Sequence, residues 1–280
     1  MSVKNMIDKL FMRRWGFTVS GIRCKLKFLI NRSLRYLIKS WSSIYNKWDW
    51  FKTPFNLEYC TFRTSDNLMF RVYDRDAIPV THEQALLDVL QSILSKGSVF
   101  IDVGAHVGGF TVRASKIVGE TGLVIAFEPD FRNYYFLITN IILNKCKNVI
   151  ALPLAIYSIT GGILSYNIAM YSGHSSITDL HEDEILFKTY VYTVTIDDMV
   201  KILNLRRIDA IKVDVEGAEI EVLKGAKESL ARYKPILLIE VHGEKQWKLL
   251  KETLQNYTIK KVIRASIHNQ WPRHIVATPV

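Results

Sequence analysis

Four clusters of residues in this sequence are spaced to do chemistry. The first is Asp102-Val103-Gly104-Ala105-His106-Val107-Gly108-Gly109, which leaves a short apolar run and opens an amphipathic one. Its glycines let backbone approach a ligand with no Cβ in the way, and the first turn of a following helix offers amide groups to an anion. The pattern is DxGxxxG, not the GxGxxG of dinucleotide enzymes, and Asp102 adds a carboxylate at the strand end that suits an ammonium group. A ligand with both charges, such as an amino acid moiety, fits this set. A tight strand-to-helix turn without a ligand has the same spelling. The second is Glu128, between Val124-Ile125-Ala126-Phe127 and Pro129. An acid at the end of a second strand accepts hydrogen bonds from both hydroxyls of a ribose, or serves only as the first acid of a helix.

The third cluster is Asp214-Val215-Glu216 within Ile211 to Glu219, two carboxylates leaving an apolar run. Helix capping by the same two acids is its plainer meaning. The fourth is Glu240-Val241-His242, again acid and imidazole past an apolar run, with His174 in the polar stretch Ser172 to Ser176 as a further imidazole. A single histidine is more often structural than catalytic. Here two strand ends would bring carboxylates and an imidazole to one rim, where a doubly wound sheet places its site.

The elements that must position these groups follow from periodicity. Apolar runs at Val99 to Val103, Leu123 to Phe127 and Val149 to Pro153 alternate with amphipathic stretches ending near Val118 and Asn144. The rhythm resumes with Ile208 to Val213, a helix from Ala218 to about Tyr233, and Ile236 to Val241. A helix from Glu244 to Asn256 and β-rich runs near Ile259 to Arg264 and Ile275 to Thr278 complete it. Short apolar strands alternating with helices predict a mainly parallel, doubly wound sheet of seven strands covered on both faces. Residues 154–207 interrupt the rhythm, with a strand-then-helix stretch from Tyr190 to Leu203. Ahead of the core, Leu57 to Tyr73 predicts a hairpin turning at Ser65-Asp66-Asn67, and His82 to Leu94 a helix stopped at Lys96-Gly97.

Charge divides the chain. Residues 1–52 hold twelve Lys or Arg against Asp8 and Asp49, a net of +10, which is the whole formal charge of the 280 residues. The remainder is neutral, which argues against nucleic acid as substrate. Ile22, Leu26, Ile30, Leu34, Leu37, Trp41, Ile44 and Trp48 form one helical stripe with Lys25, Arg32, Arg35 and Lys39 opposite. Residues 22–48 therefore predict either a helix lying on an anionic membrane or one packed on protein. Cys24, Cys60 and Cys146 are few, scattered and odd in number, so neither a disulfide framework nor a metal site is expected. A reducing, cytoplasmic compartment is the expectation, with peripheral contact at the inner membrane face as an extension.

The segments FIDVGAHVGGFT (Phe100 to Thr111), AFEPD (Ala126 to Asp130), SGHSSI (Ser172 to Ile177), VTIDDM (Val194 to Met199), IKVDVEGAEIEVLKG (Ile211 to Gly225) and LIEVH (Leu238 to His242) resemble, in order, the FkbM family of methyltransferases. The resemblance covers about Thr81 to His242, and IKVDVEGAEIEVLKG is its most specific piece. It implies a class I methyltransferase, Rossmann-like fold. It also implies S-adenosylmethionine as cofactor and methyl transfer to a hydroxyl of a small-molecule, sugar or lipid-linked saccharide acceptor. Asp102, Gly104, Ala105, His106 and Gly108 match the cradle of the cofactor's methionine part, Glu128 matches its ribose acid, and Glu83 a recurrent family glutamate. His106 stands where asparagine is frequent, and Ser158 where an acid often follows the third strand, so the adenine contacts are open.

Three regions are expected: 1–52 as the basic helical segment, 53–97 as hairpin and helix leading in, and 98–280 as the catalytic domain. For the proton of the acceptor hydroxyl, the expected base is His242 oriented by Glu240, since an imidazole near its usual pKa of about 6.5 accepts a proton at neutral pH. Asp214 and Glu216 are its competitors, and Asp214 also borders the cofactor. Mg²⁺ held by Asp214, Glu216 and Glu240 is a less favoured variant. The rival functions are a glycosyltransferase using the Asp214/Glu216 pair and a non-catalytic, membrane-associated cofactor-binding protein.

Overall fold

The computed structural model describes residues 17–19, 59–73, 84–170, 172–178, 184–264 and 271–280. The expected helix at 22–48 and Glu83 lie outside them. Two compact units divide at Thr81/His82.

The first unit holds a three-stranded antiparallel sheet in the order β1 (Phe17–Val19), β2 (Cys60–Thr64), β3 (Met69–Val72). The β2–β3 hairpin is the expected one. It turns where Asn67 takes a positive φ of 64°, a conformation asparagine tolerates, and its amide reaches the Thr64 carbonyl at 3.0 Å. Strand β1 falls in the region expected to be helical; Phe17-Thr18-Val19 is aromatic and β-branched, and β2 offers it an edge. Cys60 is disulfide-bonded, although the scattered cysteines indicate no disulfide framework; pairing depends on proximity that spacing does not encode. Cys146 is free and buried.

The second unit opens with α1 (Gln84–Ile93) and proceeds through β4 (Val99–Val103), α2 (Gly109–Val118), β5 (Leu123–Phe127), α3 (Phe131–Leu143) and β6 (Val149–Leu152). An inserted sheet follows, of β7 (Ala155–Ile156), β8 (Ile163–Ala169) and β9 (Ile185–Val194), with α4 (Ile196–Ile202) after it. The chain then returns with β10 (Ala210–Val213), α5 (Glu219–Lys224), α6 (Lys227–Tyr233), β11 (Ile236–Glu240), α7 (Glu244–Thr253), β12 (Tyr257–Arg264) and β13 (Pro272–Pro279). The main sheet runs β12-β13-β11-β10-β4-β5-β6, with β11, β10, β4, β5 and β6 parallel and β13 antiparallel to both neighbours. This is the expected seven-stranded, doubly wound sheet. Its direction of growth reverses at β4, whose neighbours are β5 and β10, so the crevice for a ligand opens above those strand ends.

Alternation assigns the two faces. Phe100, Val124, Ala210 and Leu238 pack with Leu86, Leu87, Leu90 and Leu94 of the α1 region and with Phe110, Ala114 and Val118 of α2. Ile101, Val103, Ile125, Phe127, Ile211, Val213, Leu237 and Ile239 face Met199, Val222, Leu223, Trp247 and Leu250. Each such buried Val, Leu, Ile, Phe or Met side chain contributes about 1.5–3 kcal/mol. The helix expected to lead into the core packs its leucines on this face of the sheet. Phe100 puts Asp102 on its own face of the sheet, and Ala210 does the same for Lys212.

Two further differences concern the return half. The helix expected from Ala218 to Tyr233 is two helices, broken at Gly225. A Cβ there would lie 2.2 Å from the Tyr157 carbonyl oxygen, and the Asp197 carboxylate caps α6 by accepting from the Glu228 and Ser229 amides at 3.0 and 2.8 Å. In the insertion, β8 pairs antiparallel with β9 and carries no signal that periodicity had picked out.

Candidate active site

The glycine loop begins where β4 ends. Gly104 and Gly108 have φ of 75° and 90°, the left-handed region glycine enters without strain. A Cβ on Gly104 would lie 1.7 Å from the backbone oxygen of Asp214, so β4 and β10 deliver their loops into direct backbone contact. The amides of Gly104 and Ala105 both donate to the Phe127 carbonyl, at 3.0 and 2.9 Å, and the His106 amide donates to Glu128 Oε2 at 2.7 Å. These three loop amides are therefore turned onto the end of β5 and the acid that follows it, while the amides expected to meet an anion belong to the first turn of α2. What the three loop amides do is tie the first two strand ends into one rigid edge.

Glu128 is buried at 4% exposure, and its other oxygen accepts from the Asp130 amide at 2.9 Å. Burial, together with the charge of Asp130, pushes its carboxyl up to about 8. The Asn133 side chain is a third hydrogen-bond partner of this carboxyl, which leaves one acceptor site for a ribose hydroxyl. His106 adopts φ 54°, and its buried Nε2 has no hydrogen-bond partner. Burial lowers its imidazole to about 4, so it is neutral at neutral pH.

Asp102 does not meet its expected role. Its side chain is wholly buried; Oδ2 accepts from the Thr111 hydroxyl at 2.6 Å, and Oδ1 faces Lys212 Nζ at 3.6 Å. Burial raises its carboxyl pKa. A carboxylate enclosed this way anchors the strand end and is not presented to a ligand's ammonium group. Asp214, 22% exposed and 3.1 Å from the same Lys212, is the acid at this end that reaches the crevice. The Ser158 hydroxyl is hydrogen-bonded to Glu221 of α5.

Across the switch point, β10 ends in a strained turn. Glu216 and Gly217 have φ of 52° and 106°. A non-glycine residue there costs on the order of 1 kcal/mol and persists only where its surroundings enforce it. Here Ser176 Oγ and Thr178 Oγ1 donate to the Glu216 carbonyl at 2.7 and 2.9 Å, and Glu219 Oε1 accepts from the Val215 and Gly217 amides at 3.2 Å each. The polar stretch of the insertion thus contributes hydroxyls that clamp this turn, while His174 is exposed in a 3-10 turn at Ser172–His174.

His242 sits over the turn, with Nδ1 3.0 Å from Glu219 Oε1, Nε2 3.2 Å from Glu216 Oε2, and Glu240 farther, at 3.8 Å. The orienting acid is Glu219, fully buried and also bonded by Gln246, and not Glu240 as expected. Burial alone would lower the His242 pKa, but the hydrogen bonds to Glu216 and Glu219 overrule it and hold it at about 11. At neutral pH the ring is an imidazolium, which has no lone pair to take a proton. Glu240 belongs to a second group, with Arg273 Nε at 3.1 Å and His274 Nε2 at 3.2 Å. Burial would raise its pKa, yet His274, His242 and Arg273 bring it well below the usual carboxylate range.

The oxygen-only set expected for Mg²⁺ does not converge. The ligand atoms lying within 4.8 Å of one another belong to Asp214, Glu240 and His242, while Glu216 is turned onto the imidazole. Lys212 pairs with Asp214, and Arg273 with Glu240, so protein cations already meet these charges. Sequence reasoning singled out neither Lys212 nor Glu219. A lysine inside an all-apolar strand was the available signal for the first; for the second, only the folded turn shows its four partners.

The family profile described as "Methyltransferase FkbM domain" matches residues 102–261, more than half of the chain. Methyltransferase sdnD of Sordaria araneosa is 29% identical over 163 residues, 48% of this chain and 62% of that protein. The chain thus aligns with less than two thirds of that relative's length. Among solved structures, methyltransferase FkbM from Methylobacillus flagellatus gives a TM-score of 0.46 at 16% identity, over 68% of this chain and 50% of that one. Aeropyrum pernix fibrillarin, in complex with natively bound S-adenosyl-L-methionine, gives 0.45 at 13% identity, over 79% and 94%.

Proposed function

The chain belongs to the FkbM methyltransferase family, and from that premise we propose that it moves the methyl group of S-adenosylmethionine to a hydroxyl of a sugar, lipid-linked saccharide or other small-molecule acceptor. One observation carries the reading: at the switch point of the sheet, a glycine loop at positive φ is bonded to the strand-end acid Glu128. The residues fit that cofactor. Gly104 and Gly108 let the loop turn at positive φ against the Asp214 backbone and Leu137, Glu128 retains acceptor capacity for a ribose, His106 carries an orphaned ring nitrogen, and Asp214 has a partly exposed carboxylate. When bound, the sulfonium supplies an electrophilic methyl group.

What the chain itself must do is align an acceptor oxygen, exclude water and accept a proton. Glu216 is the proton acceptor in this reading, held by the charged His242 at 3.2 Å and by the clamped backbone beneath it. His242 orients the carboxylate and offsets its charge until the proton arrives. No ion enters the reading, since Asp214 and Glu240 are each paired by a protein cation. Activity abolished by thorough chelation and restored by a divalent ion would overturn that part.

The decisive measurement is calorimetry of the full chain with S-adenosylmethionine and S-adenosylhomocysteine, followed by incubation with methyl-labelled cofactor and glycan and lipid extracts. A labelled acceptor identified by mass names the substrate. Retention of a labelled sugar nucleotide with no affinity for either sulfur nucleoside would favour the glycosyltransferase instead. Binding without transfer to any extract would favour the non-catalytic reading.

For residues 22–48 the proposal is peripheral contact with an anionic membrane, supported by the basic face opposite an apolar stripe. Among the described residues no helix is long and apolar enough to cross a membrane. Flotation with phosphatidylserine vesicles should fall when Lys25, Arg32, Arg35 and Lys39 become glutamate; equal flotation would end the proposal.

A further inference from the structure

Lys212 is a buried cation for which the proposed chemistry has no direct use. It stands in β10 between Ile211 and Val213, which face the opposite layer, and lies in register beside Asp102 of β4. Only 6% of it is exposed. An ammonium group gives up strong hydration to sit there, and must find replacement partners. It finds them on two separate loops, the Gly104 carbonyl at 3.1 Å and Asp214 Oδ2 at 3.1 Å, and on the neighbouring strand, Asp102 Oδ1 at 3.6 Å, with the Phe110 ring 5.3 Å away. Gly104 belongs to the loop that would hold the cofactor. Asp214 opens the turn that presents Glu216. These loops touch directly, since the Asp214 carbonyl fills the place of a Gly104 Cβ. An ammonium has three donors at fixed angles, so acceptors on both loops set their spacing and their direction together.

We propose that Lys212 is a positioning residue, whose ammonium locks the glycine loop of β4 against the Asp214 turn of β10 so that cofactor and proton acceptor meet in register. The inference rests on the methyl-transfer reading of the same site. Lys212 acts through Gly104 and Asp214, without touching the acceptor. The competing account gives it one task, neutralising the buried Asp102, and the two accounts part when both charges are removed.

The experiment compares full-length wild type with Asp102→Asn/Lys212→Met in two measurements. Hydrogen exchange without ligand reads the amides of residues 104–108 and 214–217, and calorimetry reads affinity for S-adenosylhomocysteine. The expected result is a thermal midpoint close to wild type, faster exchange in both loops, and at least tenfold weaker binding. Exchange unchanged in both loops, or binding within twofold of wild type, overturns the proposal. The same measurements on Asp102→Asn/Lys212→Gln, which keeps a polar end in the cavity, decide the matter if the methionine variant fails to fold. Wild type that binds neither S-adenosylhomocysteine nor S-adenosylmethionine removes the methyl-transfer reading itself, while the exchange measurement still reports on the lock.

Discussion

The two halves of the crevice are built by different means. At the ends of β4 and β5 the work is done mainly by backbone: glycines at positive φ, two amides bonded to the Phe127 carbonyl, and acids buried beyond 95%. At the ends of β10 and β11 it is done by charge, with Glu216, Glu219, Glu240, Arg273 and two histidines paired across distances of 3.0 to 3.8 Å and several of them partly exposed. Backbone hydrogen bonds and steric contact hold a shape whatever the pH, whereas an ion-pair network holds its shape only while its members keep their charges. The contrast teaches that the first half is fixed in shape, and that the second depends on charges that pH can change.

Substitution separates the halves, and the largest effect belongs to the first. Gly104→Ala places a methyl group 1.7 Å from the Asp214 oxygen at φ 75°. We expect a loss of roughly 3 kcal/mol or more in chemical denaturation and no measurable cofactor binding. Affinity within threefold of wild type would mean that the cradle is not rigid. Next is Glu219→Ala, which leaves His242, Gln246 and two amides without their acceptor. A cost of about 3 kcal/mol is expected for a buried group with charged and amide partners, with cofactor affinity little changed. Equal damage to that affinity would erase the division between the halves.

Glu216→Gln should leave stability and cofactor binding near wild type and lower kcat about 100-fold; an undiminished rate would remove Glu216 as proton acceptor. The last prediction concerns pH. The His242 pKa is raised from 6.5 to about 11 on folding, so its stabilising contribution is complete below 6.5 and is lost as pH rises toward 11. The thermal midpoint should therefore decline over that interval, and His242→Gln should flatten the decline. Equal slopes for the two proteins would show that the network does not depend on this charge.

Much of the fold was legible because short apolar runs alternating with amphipathic stretches leave few alternatives to a parallel sheet. The strands β4, β5, β10 and β11 were readable for that reason, and so were the acids at their ends, since strand ends at a reversal of order form the crevice. What stayed hidden depends on groups distant in the chain. The break at Gly225 follows from the Tyr157 carbonyl packed against it, and β8 becomes a strand only because β9 pairs with it.

The sequence alone determined where backbone must bend and where charge leaves a strand, because glycine and carboxylate declare those properties wherever they stand. Only tertiary structure decided which charges meet. Asp102, expected at the ligand, is enclosed by Thr111 and Lys212, and His242, expected as a base, is held protonated by Glu216 and Glu219. A side chain's ionisation and its access to a ligand are set by the neighbours that burial and strand register supply, and no local spacing specifies those neighbours.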